Sequence, residues 1–99
     1  MAESDRQLVE RVRRGDRQAF EELVRRHLSA AHATALGVVG EPADAEDVCQ
    51  DAFISALEHL EDCRDPDRFG AWLMRIVRNA AYSARRRQQV RRAAPLDKV

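Results

Sequence analysis

Residues 68–87, RFGAWLMRIVRNAAYSARRR, form the segment that most restricts how this chain can fold. Apolar side chains recur there at spacings of three and four, which at about 100° per residue places them on one side of a helix. They are Phe69, Leu73, Ile76, Val77, Ala80 and Ala84. No acidic residue occurs between Arg68 and Arg92. The segment therefore predicts an amphipathic helix with an apolar, core-facing stripe and a basic outer face.

The outer edge of this predicted helix has the chemistry of a surface that binds nucleic acid. It carries Arg68, Arg75, Asn79, Tyr82 and Arg86, with Trp72 at the seam between the two faces. Guanidinium groups hold phosphates, aromatic faces stack on unpaired bases, and an amide can both donate to and accept from a base edge. A residue at the rim of the core is an equally good interpretation of Trp72.

The distribution of charge along the chain indicates two different surfaces. The 99 residues include 17 basic and 17 acidic side chains, so the net charge is zero. Residues 1–63 hold 7 basic and 14 acidic side chains, whereas residues 64–99 hold 10 basic and 3 acidic ones. Two halves of opposite charge favour two different binding partners, or one partner together with an attraction between the two halves of the protein. Chance clustering of charges on solvated helix faces gives the same totals.

Other segments also have helical periodicity, so we expect an all-α fold, a compact bundle of about four helices. Ser4 and Gln7 form a predicted capping box for a short first helix. Asp16 is expected to cap a second helix over residues 17–36, and Gly37 to end it. The predicted inward side chains of the second helix are Phe20, Leu23, Val24, His27, Leu28, Ala31 and Ala35.

The third and fourth predicted helices follow two proline-containing turns. Pro42 favours the start of a helix over about 43–60, and Asp65 is expected to cap the basic helix over about 66–87. The buried stripe of the third helix is predicted to be Ala45, Val48, Cys49, Ala52, Phe53, Ala56 and Leu60. Its opposite face carries Asp47, Gln50, Asp51, Ile54, Glu58 and Glu61. An aliphatic residue among carboxylates fits a docking surface for a basic helix, and it also fits an ordinary solvated face.

Several classes of function lack sequence support. Two cysteines, Cys49 and Cys63, are too few for a disulfide framework. His59 and Cys63 could supply two zinc ligands, whereas a zinc site needs three or four, so we expect no metal and no cofactor. No apolar run approaches the roughly 18 residues of a membrane span, and the N-terminus lacks the features of a signal peptide. We expect a cytoplasmic protein without membrane insertion. Without paired carboxylates, a nucleophile elbow or a phosphate-binding loop, we also expect no enzyme.

Three segments together resemble a known family. DAEDVCQDAFISAL (44–57) followed by RFGAWLMRIVRNAAYSARRR (68–87) strongly resembles region 2 of an extracytoplasmic-function (ECF) sigma factor of the sigma-70 family. LVERVRRGDRQAFEELVRRH (8–27) resembles the first part of the same domain. The resemblance implies a region 2 domain at 1–87. It also implies a frayed helix end and linker at 88–99, toward a missing region 4 domain, so we expect an excised domain or fragment.

The resemblance implies a bacterial transcription initiation factor that docks on core RNA polymerase and melts the promoter −10 element. The contacts with the clamp coiled coil of the largest polymerase subunit would fall on Asp47, Gln50, Asp51 and Ile54. An anti-sigma factor is a further implied partner, because members of this family are held inactive by such proteins.

The resemblance also implies a site for the −10 non-template strand. Asn79 occupies the position that lines a pocket for a flipped base, and the loop Cys63–Arg68 matches the segment that wraps this base. The implied DNA-binding residues are Arg64, Arg68, Trp72, Arg75, Arg78, Asn79, Tyr82, Arg85, Arg86 and Arg87. Relatives commonly carry Phe-Arg-Gly where this chain has Cys63-Arg64-Asp65, and an aromatic residue where it has Met74. Asp65 and Asp67 also place negative charge beside the implied DNA path, which leaves the base preference of the loop open.

Two alternatives remain from the sequence. One is a free-standing nucleic-acid-binding helical domain that has no polymerase partner. The other is a protein-interaction module whose basic helix binds an acidic partner.

Overall fold

A computed structural model describes residues 2–93 of the chain as a bundle of four α-helices. They are α1 (Asp5–Arg13), α2 (Arg17–Val39), α3 (Pro42–Glu58) and α4 (Phe69–Ala93), and two short 3-10 helices, Leu60–Asp62 and Pro66–Arg68, connect α3 to α4. Helices α2, α3 and α4 pack pairwise against one another, while α1 packs on α2 and on both 3-10 helices. The expected all-α bundle of about four helices is confirmed.

The predicted helix starts of α1 and α2 have the expected caps. The Ser4 hydroxyl accepts a hydrogen bond from the Gln7 backbone N–H at 3.1 Å, and the Gln7 side chain accepts one from the Ser4 N–H at 2.8 Å. The Asp16 carboxylate accepts from the Gln18 backbone N–H at 3.1 Å. Each of these bonds satisfies a donor that a helix start otherwise leaves without a partner.

Helix α2 ends later than predicted. The prediction that Gly37 ends the helix is wrong, because α2 continues to Val39 and is capped by Gly40, which has a φ of 78°. The Gly40 N–H donates to the Leu36 carbonyl at 2.9 Å. A glycine inside a helix costs only about 1 kcal/mol relative to alanine, and the burial of Val39 at the last turn offsets that cost.

Exchanging these two glycines for alanine should change stability in opposite directions. An added Cβ meets no atom within 4 Å at Gly37 or at Gly40, so the backbone conformation decides the result. Gly40→Ala should lower the free energy of unfolding by about 1 kcal/mol, because its positive φ disfavours L-residues. Gly37→Ala should raise it by about 0.5–1 kcal/mol. Urea unfolding curves would check both values, and changes of the same sign would contradict the helix boundary.

The core follows most of the predicted stripe positions, with corrections on α2 and α4. All seven predicted inward residues of the third helix are buried, although Leu60 lies in the 3-10 helix after α3. Leu28 was predicted to face inward, yet it is 46% exposed. The buried residues Ala19, Leu23 and Ala31 of α2 are separated by multiples of four residues, and Leu28 lies one residue away from that series, so its side chain turns toward the surface. On α4, Ile76 and Ala80 are half-buried. The buried residues are Phe69, Leu73, Val77, Ala81, Ala84 and Gln88.

Helix α4 also extends beyond the predicted end at Arg87. It is helical as far as Ala93, and the side chain of Gln88 is buried between helices. Gln88 donates to the Val39 carbonyl at 3.3 Å and to the Asp44 carboxylate, which joins the end of α2 to the start of α3. The frayed end expected from residue 88 is therefore helical up to Ala93, and the rest of the expected linker lies outside the described residues. Within residues 2–93, no helix is both long and apolar enough to cross a membrane.

Candidate nucleic-acid interface

Helix α4 presents a row of polar side chains on the side opposite its buried stripe. We call the exposed residues Arg75, Asn79, Tyr82 and Arg86 the α4 row. They follow one another at spacings of three and four, so they share one edge of the helix over about three turns. Tyr82 is 48% exposed, which is unusual for an aromatic residue in a small domain. The structure therefore leaves the predicted base-reading and phosphate-binding groups accessible.

The arginines of α4 have no carboxylate partner within residues 2–93. Every ion pair in this part of the chain involves a basic side chain of α1 or α2. These basic residues are Arg6, Arg11, Arg25, Arg26 and His27. Between residues 2 and 93, the one side-chain hydrogen bond made by an α4 arginine joins Arg86 to the Ser83 hydroxyl at 3.0 Å. The cationic groups of α4 are therefore available to an external anion.

Asn79 lines an open groove between α3 and α4. The groove is lined by Asp51, Ala52, Ser55, Ile76, Asn79, Ala80 and Ser83. The amide is thus exposed beside a concave surface that combines hydroxyl groups with aliphatic walls. A nucleotide base on such a surface can meet both a hydrogen-bonding group and an apolar face.

Arg87 lies beside Arg86 and also faces α3. Together with Arg91 it lines a second groove, whose α3 wall carries Asp44, Asp47 and Asp51. No arginine–carboxylate pair across this groove is within 4.0 Å among the described residues, so these opposite charges attract without direct contact. Arg87 therefore lies beside the acids of α3, whereas Arg78 and Arg85 are exposed and line neither of these two grooves.

Trp72 combines a packed face with an accessible one. Its ring lies 5.8 Å from the ring of Phe69, which is completely buried, and it packs against the edge of the core. The side chain is nevertheless half-exposed. The interpretation as a rim residue fits this packing, and the remaining exposed face still borders the α4 row.

Helix α3 carries the second predicted surface. Asp47, Gln50, Asp51 and Ile54, which we call the α3 acidic surface, are all exposed, and Ile54 is 52% exposed. None of the acids in this surface forms an ion pair within residues 2–93. Asp51 lines both grooves between α3 and α4, so the two predicted surfaces meet at this residue.

The loop Cys63–Arg68 is held in place by buried and hydrogen-bonded groups. Cys63 and Pro66 are buried, and burial raises the pKa of the Cys63 thiol. The Asp65 carboxylate accepts from the Asp67 backbone N–H at 3.2 Å, so Asp65 caps the 3-10 helix Pro66–Arg68. The predicted start of the basic helix at about residue 66 is therefore too early, because α4 begins at Phe69. Arg64 and Arg68 are exposed, so the loop presents two cations at its surface.

Sequence patterns did not reveal the contacts that tie this loop to α1. Arg6 forms ion pairs with Asp65 and Asp67, and its hydrogen bond to Asp67 lowers the pKa of that carboxyl group. These partners are about 60 residues apart in the chain, and local periodicity carries no information on such pairs. The only signal available was the unusual pair of acids in the loop.

His27 faces inward on α2, as its position among the predicted inward side chains indicated, and it is half-buried. Its Nε2 lies 2.8 Å from an Asp5 carboxylate oxygen, and its ring makes an edge-on contact with Phe69 at a centroid distance of 5.4 Å. Among the described residues, no group of three or more His, Cys, Asp or Glu side chains is arranged to hold a metal ion.

Comparison with known proteins identifies the family. The Sigma-70 region 2 family model matches residues 23–91, which is most of the chain. The chain therefore belongs to the sigma-70 region 2 family, as the resemblance in its sequence indicated. Its relatives include ECF sigma factors, which makes it a region 2 domain of the ECF type.

Two of the similar curated proteins are sigma factors that are about twice as long as this chain. The RNA polymerase sigma-H factor of Pseudomonas aeruginosa is 42% identical over 79 residues, 80% of this chain and 41% of that protein. The ECF RNA polymerase sigma factor SigM of Mycobacterium tuberculosis is 38% identical over 96 residues, 97% of this chain and 49% of that protein. The chain thus spans less than half the length of these relatives. No solved structure matches it significantly.

Proposed function

We propose that this domain docks on core RNA polymerase through the α3 acidic surface and captures the melted non-template strand of the promoter −10 element on α4. One observation carries the proposal. Adjacent helices expose the α3 acidic surface around Ile54 and the α4 row with its two arginines, and neither surface forms ion pairs within residues 2–93. Charges that a fold leaves uncompensated on two neighbouring faces favour two external partners of opposite charge.

Docking on polymerase rests on the composition of the α3 acidic surface. Ile54 supplies an exposed aliphatic side chain, and Asp47 and Asp51 lie beside it on the same face of α3. At protein interfaces, a buried apolar contact supplies affinity, while surrounding charges set orientation and the rate of encounter. A basic helical surface, such as the clamp coiled coil of the largest polymerase subunit, has the complementary chemistry. An anti-sigma factor could inhibit the domain by covering the same surface.

Replacing Ile54 by aspartate should weaken binding to core polymerase about 30-fold or more, because a charge would be buried in the proposed interface. The matched control is Leu28→Asp, since Leu28 is similarly exposed but lies on α2. The control should change polymerase affinity less than about threefold. Equilibrium titration of labelled domain with core polymerase measures both. Equal polymerase affinities for the two variants would show that the α3 acidic surface is not the docking surface.

Strand capture rests on the α4 row and the Asn79 groove. Extruding a base from duplex DNA costs a few kcal/mol, and stacking on an aromatic side chain returns about 1–3 kcal/mol per base. Tyr82 and the exposed face of Trp72 offer stacking surfaces, while Arg75 and Arg86 lie along the same row to hold phosphates. Asn79 supplies an amide at the groove for reading a base edge. The domain would act by binding alone, without catalysis.

The test of this function is a binding assay with a single-stranded −10 oligonucleotide, in the presence and absence of core polymerase. Sequence-dependent binding that requires polymerase supports the proposal. Equal binding of all sequences, with or without polymerase, supports instead a general nucleic-acid-binding domain. No binding of DNA under either condition supports a protein-interaction module.

A further inference from the structure

Helix α1 makes a forked contact with the loop Cys63–Arg68. Nε of Arg6 donates to one carboxylate oxygen of Asp67 at 2.9 Å, and Nη2 donates to the other at 3.0 Å. The same Nη2 lies 3.4 Å from a carboxylate oxygen of Asp65. A planar guanidinium that binds both oxygens of a carboxylate restricts orientation as well as distance. One side chain of α1 therefore holds both acids of the loop.

A second arginine of α1 fixes the backbone at the start of the loop. Nη2 of Arg13 donates to the Leu60 carbonyl at 3.0 Å and to the Cys63 carbonyl at 2.8 Å. Leu60 is the first residue of the 3-10 helix that leads into the loop, and Cys63 directly follows that helix. The loop thus has contacts with α1 at its beginning and through its acidic residues, and both contacts depend on guanidinium groups.

The arrangement also separates the charges of the loop. Asp65 and Asp67 face Arg6, whereas Arg64 and Arg68 are exposed and form no ion pair within residues 2–93. Hydrogen bonding from Arg6 lowers the pKa of Asp67, so the contact with the guanidinium favours the ionised carboxylate. Without Arg6, two uncompensated negative charges would border the proposed path of DNA.

We propose that Arg6 is a positioning residue for the loop Cys63–Arg68: it offsets part of the negative charge of Asp65 and Asp67 toward DNA and holds the loop in the conformation that sets its base preference. This inference rests on the proposed function, and it takes from the family resemblance the expectation that the loop Cys63–Arg68 wraps the flipped base of the captured strand. It gives α1 a role in promoter selectivity, although α1 belongs to neither of the two surfaces described above. It also explains how a loop with two acids can lie beside a polyanion.

A merely structural role for Arg6 would have different consequences. Exposed ion pairs contribute little to folding, and the Arg6 side chain is 43% exposed, so its loss should leave the domain folded. A charge beside a polyanion acts on binding and on its salt dependence instead. DNA affinity and base preference are therefore the measurements that separate the two roles.

The test compares Arg6→Gln with Arg14→Gln in the full 99-residue chain bound to core polymerase. Arg14 is an exposed arginine at the end of α1 without an ion pair within residues 2–93, so its loss removes the same charge. Arg6→Gln should weaken binding of the single strand that the unmodified chain prefers by about three- to tenfold and reduce the preference at the flipped base. Arg14→Gln should change affinity less than about twofold and leave the preference intact.

A second substitution distinguishes the effect of the Arg6 charge on DNA affinity from its effect on the position of the loop. Adding Asp67→Asn to Arg6→Gln removes one exposed carboxylate, so affinity should recover to within about twofold while the lost base preference does not return. Arg6→Lys keeps the charge but lacks the fork, so it should retain affinity and lose preference. This variant also provides the test if Arg6→Gln does not fold.

The outcomes distinguish this inference from the proposed function. If the unmodified chain selects no sequence with polymerase present, the proposed function fails and this inference fails with it. If the unmodified chain selects a sequence and Arg6→Gln behaves like Arg14→Gln, only the role of Arg6 is overturned. A parallel loss of polymerase affinity in Arg6→Gln would also overturn it, because the defect would then lie in the fold.

Discussion

Replacing both Arg75 and Arg86 by alanine should weaken polymerase-dependent binding of single-stranded −10 DNA about 100-fold. Each exposed guanidinium is expected to make one charge-assisted contact with a phosphate, and the loss of two such contacts has roughly this effect. Each lost contact should also reduce the slope of log affinity against log salt by about 0.7. Titrations between low and physiological salt measure both quantities in one experiment.

The matched control for this pair is Arg14→Ala with Arg17→Ala. Both residues are exposed arginines at the junction of α1 and α2, outside α4, and neither forms an ion pair within residues 2–93. The control removes the same net charge, so it should change affinity and salt slope much less than the α4 variant. Equal losses in the two double variants would show that only overall charge matters, and the α4 row would no longer be the binding surface.

Replacing Phe69 by alanine should lower the free energy of unfolding by about 3–5 kcal/mol. Phe69 is the largest completely buried side chain, and it contacts the rings of both His27 and Trp72. Small domains have a total stability of about 5–15 kcal/mol, so this single change would remove a large part of it. Urea unfolding followed by the fluorescence of the single tryptophan measures the change.

Tyr82→Ala is the control for the Phe69 variant. It removes a large aromatic side chain from the same helix at a position that is 48% exposed, so stability should change by less than about 1 kcal/mol. A loss below 1 kcal/mol for Phe69→Ala would contradict the central position of this ring in the core. A large loss for Tyr82→Ala would contradict the exposure of the α4 row.

Local patterns were sufficient to predict most of the fold. Apolar spacing and cap residues report on contacts within a few residues, which explains why the capping box at Ser4 and the buried stripe of α3 are confirmed. The prediction failed where tertiary packing decided the structure. Gly37 lies inside α2 because burial of the following turn outweighs its low helix propensity, and α4 continues because Gln88 finds buried partners.

The candidate surfaces were predictable only as separate helix faces. A helical wheel shows that Asn79 and Asp51 lie on outer faces of their own helices, but it does not show that both line one groove. The position of Arg87 beside the acids of α3 depends in the same way on how α3 packs against α4. The contact between Arg6 and the loop joins distant segments, and a single sequence gives no direct signal for such pairs.

The most direct measurement of the central claim is selection from a randomised single-stranded DNA pool by this chain with core RNA polymerase. If α4 captures the −10 strand, we expect enrichment of a short motif that depends on polymerase and is lost when Asn79 is replaced by alanine. Recovery of unselected sequences in the presence of polymerase, or the same motif with and without Asn79, would contradict it.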